Sequence, residues 1–145
     1  MKFKYTIPAS GDGMPLSDSR GKMVKRPLLQ VVFKGKDEKE INSFAVIDSG
    51  ADTTTLNIQY AKFLGIDLDK NKTRKIMGVG QGTISVYQGI LPFKIKEMGI
   101  EMKIPAWFVD SQNVDILLGQ EVFFDKFKIK FEKDHNIFEL VEVKK

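Results

Sequence analysis

From Arg26 onward, short apolar runs alternate with clusters of glycine, charge and turn-forming residues, and helical periodicity is confined to two short stretches. This rhythm is the strongest constraint on the fold. Residues 28–33, 41–47, 83–86, 89–95, 100–109, 128–132 and 137–143 read as strands, and the charged residues 35–40 as a hairpin turn. Helices are expected over 57–64, where Ile58, Ala61 and Leu64 share a face ahead of Gly65, and over 120–127, with Val122, Phe123 and Phe127 facing inward. Short strands at regular spacing predict an all-β chain, a small and mostly antiparallel barrel or sandwich.

The 145 residues suit one domain. Residues 1–7 read as a strand with Phe3, Tyr5 and Ile7 alternating, and 8–25, rich in Gly, Pro, Ser and Asp, as an irregular segment. Without cysteine there is no disulfide or thiolate chemistry, and the single His135 argues against a multi-histidine metal site or a Ser-His-Asp hydrolase. No apolar stretch approaches bilayer length, and the basic start lacks an apolar leader core, so no membrane partner and a cytoplasmic location are expected. The net charge of +4 comes from lysines scattered among acids, which does not make a nucleic-acid stripe.

Three segments carry chemistry. Phe44 to Ile47 is an apolar run that delivers Asp48-Ser49-Gly50 to a strand end. A glycine there permits a tight turn whose N–H groups approach the carboxylate, and Ser49 adds a hydroxyl. Taken alone, the triplet is equally an Asx-turn that ends a strand. Met77 to Thr83, with Gly78, Gly80 and Gly82, leads into β-branched residues and so reads as a glycine-rich hairpin tip, not a phosphate cradle opening a helix. Ile116 to Leu118, uninterrupted by polar residues and followed by Gly119, reads as a strand buried on both faces, its glycine letting another backbone pass close by.

In that order, these pieces resemble the single-domain aspartic proteases: the retroviral proteases and the retroviral-like domain of the DNA-damage-inducible ubiquitin-receptor proteins. The matching segments are Arg26-Pro27-Leu28-Leu29, Ala45 to Thr53, Met77 to Thr83 and Val114 to Phe124, with residues 127–140 as a terminal hairpin. The resemblance covers roughly residues 26–143 and implies a retropepsin-type closed β-barrel with one or two short helices. Residues 26–145 would form the protease domain, preceded by a segment 1–25 of unassigned role.

The resemblance implies a role for each site residue. Asp48 would be catalytic, and Ser49 and Gly50 would set the geometry, with Ser49 bonding across subunits. Gly50, Ala51, Asp52, Gly78, Val79, Gly80, Ile84 and Ile116 would contact substrate, and Val46 would join the apolar lining. Arg26 would pair with Asp52 of a second subunit. Gly119 is followed by Gln120 where retroviral enzymes commonly carry arginine, which leaves Asp52 with fewer positive partners. Only one Asp-Ser-Gly triplet occurs, since Asp18-Ser19 and Asp110-Ser111 lack the glycine. The implied assembly is therefore a two-fold homodimer with one site at its interface. It would hydrolyse extended peptides through a water activated between two Asp48 carboxylates, with no metal or cofactor. The alternative is a silent member that uses the same groove only to bind peptide or to dimerise.

Overall fold

A computed structural model describes residues 1–8, 17–77, 82–111, 114, 116–144. Its strands are β1 (Lys2–Lys4), β2 (Leu28–Lys34), β3 (Glu40–Ile47), β4 (Thr54–Asn57), β5 (Leu68–Met77), β6 (Thr83–Ile95), β7 (Ile100–Val109), β8 (Leu117–Leu118), β9 (Phe127–Glu132) and β10 (Ile137–Glu142). Among the described residues there is one α-helix, α1 (Ile58–Leu64), which follows β4 directly.

The seven-stranded sheet runs β2-β3-β8-β4-β7-β6-β5, and an added β2–β6 pairing closes its first six strands into a ring. Alternation along β6 explains the closure. Leu91, Phe93 and Ile95 are almost completely buried inside, whereas Ile90 is half exposed outside. Ile104, Ala106 and Phe108 of β7 and Leu29, Val31 and Phe33 of β2 fill the same interior. Each fully buried side chain of this size contributes about 1.5–3 kcal/mol. A second, three-stranded sheet, β1-β10-β9, is antiparallel throughout. It is fastened by Phe3 stacked on Phe138 at 5.2 Å and by Tyr5 edge-on to the same ring at 5.8 Å.

The all-β class matches the expectation, with local corrections. The first strand spans Lys2–Lys4 only, and Ile7 stays exposed beyond the isolated Thr6–Arg26 bridge. The runs 83–86 and 89–95 are one continuous strand, because Gly89 and its neighbours remain paired to both β5 and β7. The strands β4 and β5 were not anticipated. Leu117 is only half-buried, so β8 is not covered on both faces.

The expected helix over 120–127 is instead an irregular turn across Gln120–Phe124. Glu121 is extended, and Val122 takes φ +67°. The N–H groups of Gln120 and Glu121 are drawn to the carbonyls of Ala51 and Asp52, at 2.8 and 2.9 Å, instead of starting a helix. Val122 then turns the chain back so that Phe123 enters the core against Phe93 and Phe127.

The helix α1 has the anticipated end signals. The Asn57 side chain accepts from the Gln59 N–H at 2.8 Å, and Gly65 closes the helix at φ +70°. Asn57→Ala should cost about 0.5–2 kcal/mol in urea unfolding, whereas Asn57→Asp should stay within a few tenths of wild type.

Candidate active site

The strand order β3-β8-β4 places a two-residue strand between two strands that are neighbours in sequence. β8 is parallel to β3, with Val46 opposite Leu117 and Ile47 opposite Leu118, and antiparallel to β4, with Thr55 opposite Leu117. Residues 48–53 therefore bridge over the end of β8, and the Asp48 turn lies in this bridge.

The turn is held by hydrogen bonds on every side. The Asp48 N–H donates to the Leu118 carbonyl at 3.0 Å, and the Asp48 carbonyl accepts from the Ala51 N–H at 3.2 Å. Asp48 Oδ1 accepts from the Gly50 N–H at 2.9 Å. The carboxylate is half-buried, and Ser49 and Gly50 are exposed. A β-carbon on Gly50 would stand 3.3 Å from Asp48 Oδ1, so clearance beside the carboxylate, not a left-handed backbone, is what glycine supplies here.

Beneath the turn, Gly119 passes close under the bridge. A β-carbon there would collide with the Thr53 carbonyl group and stand 2.8 Å from the Ala51 oxygen. The Gly119 N–H donates to Thr54 Oγ1 at 3.2 Å, and Thr54 is completely buried. Gln120 then braces the turn twice. Its backbone N–H reaches the Ala51 carbonyl, and its Nε2 donates to the Ser49 carbonyl at 2.6 Å.

The structure thus gathers Asp48, Ser49, Gly50, Ala51 and Asp52 in one partly exposed bridge. Asp52 is exposed, and its carbonyl accepts from the Glu121 N–H. Ile116 is buried, and its carbonyl accepts from the Val46 N–H at 2.8 Å; Val46 itself is half-buried. Ile84, also half-buried, lies on β6 near the end of the β5–β6 hairpin. Gly78, Val79 and Gly80 lie outside the described residues. Arg26 exchanges backbone hydrogen bonds with Thr6, and the next residue, Pro27, accepts from the Ile47 N–H at 3.0 Å. Its backbone is thereby set beside the strand that ends in Asp48.

Thr54, Gln120 and Glu121 were not among the anticipated site residues. Gln120 was visible only as a departure from the arginine of the retroviral pattern, because its bond to Ser49 spans 71 residues and leaves no local signature. Among the described residues, no group of three His, Asp or Glu side chains is placed to hold a metal ion. None of the described helices is long and apolar enough to cross a membrane.

The family model for the gag-polyprotein putative aspartyl protease matches residues 38–124, which contain the whole β3-β8-β4 arrangement. The chain belongs to this aspartyl protease family. Solved structures with the same fold include a retropepsin-like aspartic protease from Rickettsia conorii, 17% identical over 88% of this chain and 95% of that one, with TM-score 0.54. The retroviral protease-like domain of Ddi1 from Leishmania major is 17% identical over 81% and 90%, with TM-score 0.53. The EIAV protease, solved with an inhibitor, is 22% identical over 76% and 93%, with TM-score 0.47. No curated protein matches the chain. The fold of this family member is accordingly retropepsin-like.

The contrast between two glycines tests the site geometry. Gly119→Ala should cost at least about 2 kcal/mol in chemical unfolding, because the new methyl meets backbone that must shift. Gly50→Ala should unfold close to wild type, since beyond its chain neighbours the added methyl meets, among the described residues, only the Asp48 side chain.

Proposed function

We propose that the chain is an aspartic endopeptidase, active as a two-fold homodimer in which Asp48 of each protomer faces the other. The observation that carries this reading is the Asp48 turn itself. The carboxylate is half-buried, one oxygen is fixed by the Gly50 N–H, and the loop is braced from below by Gly119 and Gln120. Membership of the aspartyl protease family supports it.

Each chain contributes one such carboxylate, and a two-fold axis supplies the second. Two carboxylates in close apposition share one proton and titrate as a unit, a behaviour for which aspartic proteases are the known case. The ionised partner takes a proton from water as that water attacks the peptide carbonyl. The protonated partner hydrogen-bonds the developing oxyanion and then protonates the leaving nitrogen.

The β5–β6 hairpin serves as the flap over an extended substrate. The substrate is held by strand-type backbone bonds, with Gly50, Ala51 and Asp52 on the other side. Ile84, Ile116 and Val46 favour apolar side chains beside the cut. Arg26, set next to the Asp48 strand through Pro27, reaches Asp52 of the partner subunit, and Ser49 bonds across the same interface.

Asp48→Asn should lower peptide cleavage by about 10³-fold or more between about pH 4 and 7 while leaving unfolding and dimerisation unchanged. Mixing gives a sharper test. An equimolar mixture of wild-type and Asp48→Asn subunits, exchanged to equilibrium, should retain about a quarter of the activity expected for all-wild-type dimers, because only that share carries two aspartates. Half the activity would mean independent monomers. Peptide binding without turnover in the wild type would identify a silent binding module instead.

A further inference from the structure

The register of the β5–β6–β7 corner puts one row of side chains on a single face. Arg74 is opposite Val86, Val86 is opposite Val109, and Gln88 is opposite Trp107. Directly opposed residues and residues two apart on one strand share a face, so Ile84, Val86, Gln88, Arg74 and Trp107 belong to one surface. Along that surface, away from the hairpin tip, the lining changes character. It begins with the half-buried Ile84, passes the buried Val86 and ends in a predominantly polar hollow of about 400 Å³.

Arg74 and Trp107 stand in the wall of that hollow, with the guanidinium carbon 4.9 Å from the centre of the indole ring. Stacking on an aromatic face holds the guanidinium flat while leaving its N–H edge open for a bidentate acceptor. No carboxylate of the described residues lies within ion-pair distance of Arg74 or Lys72, which also lines the hollow. The far wall is Thr53 and Glu121. Both belong to the site loop, because Thr53 follows Asp52 and the Glu121 N–H donates to the Asp52 carbonyl. Among the described residues of the lining, Glu121 contributes one carboxylate against two cations and leaves the hollow net positive.

We infer that this hollow is a substrate subsite for an acidic side chain, with Arg74 on its Trp107 platform as the group that selects it. The inference rests on the protease reading and adds a substrate class to it. The peptides taken are apolar at the cut and carry Glu or Asp several residues away, where an extended chain leaving the Asp48 turn passes Thr53. Arg74 binds the carboxylate through its guanidinium edge, and Lys72 adds field. Thr53 and Gln88 offer neutral hydrogen-bonding groups.

The test uses twin fluorescent peptides with the same apolar core. They differ only in Glu or Gln, placed in turn three, four or five residues from the scissile bond on either side. Binding is read by anisotropy on the Asp48→Asn protein at low salt, and turnover as kcat/KM on the wild type. At one placement the Glu twin should bind about three- to tenfold more tightly than the Gln twin. Arg74→Gln should bring the ratio within about twofold, and Arg74→Glu should invert it. Arg74→Lys should restore part of it, which loss of packing alone would not produce. A Glu preference in binding that depends on Arg74, without cleavage of any peptide, would uphold the subsite and sink the protease reading. Cleavage with no Glu preference, or with one that Arg74→Glu leaves intact, would overturn the subsite and keep the protease. Failure to bind either twin at any placement would overturn the subsite as well.

Discussion

The insertion of β8 between β3 and β4 is the constraint on which the rest of the molecule depends. Two strands joined by a six-residue bridge normally pair with each other. Here they are held apart by Leu117 and Leu118, so the bridge must arch over the end of the inserted strand. The arch lifts Asp48 out of the sheet, yet its backbone N–H remains tied to Leu118. It also requires a residue without a side chain at 119, and a buried hydroxyl at 54 to receive the Gly119 N–H. A buried N–H left without that acceptor would cost about 1–3 kcal/mol, comparable to a fair fraction of a small domain's total stability.

Local preference yields to this arrangement in the segment that follows. Gln120 to Phe127 has a helix-compatible pattern, and in isolation nothing opposes a helix there. The bridge carbonyls of Ala51 and Asp52 need donors, however, and the two N–H groups that arrive are those of Gln120 and Glu121. Meeting that need forces Val122, a β-branched residue, to φ +67°, at a cost of order 1–3 kcal/mol. Burial of Phe123, together with the two backbone bonds, offsets it. Backbone strain is thus located one residue beyond the contacts that brace the candidate active site.

Much of the fold was legible because its strands advertise their burial. The runs ending at Ile47, Ile95 and Val109 carry apolar residues on alternate positions that all face one interior. β4 was hidden because Thr54-Thr55-Leu56-Asn57 is short and runs straight into α1. β5 was hidden because its middle is a run of lysine, asparagine, threonine and arginine, with a register shift between Asp69 and Thr73. The Asp48 triplet was legible as a turn, since an aspartate, a hydroxyl and a glycine after an apolar run have few other uses. Its bracing was not legible. Gln120 acts through a carboxamide on a distant backbone carbonyl, and Thr54 through a hydroxyl that ordinary strand preference already explains.

The cations of β5 divide by the same physical reasoning. β5 is the outer edge of the seven-stranded sheet, and exposed lysines at an edge discourage pairing with another chain. Lys70 and Lys75 are exposed and need no explanation beyond that role. Arg74 differs in kind. Edge protection requires only that a charge be solvated, whereas this guanidinium lies against an indole ring contributed by a strand two places away in the sheet. A lysine in its place would protect the edge equally well and would present a point charge without a planar fork. The stacked geometry contributes packing of its own and also presents an oriented planar fork to an anionic group. In this fold, the hollow beside Arg74 is also lined by Thr53, the residue that follows Asp52 in the loop of the candidate active site.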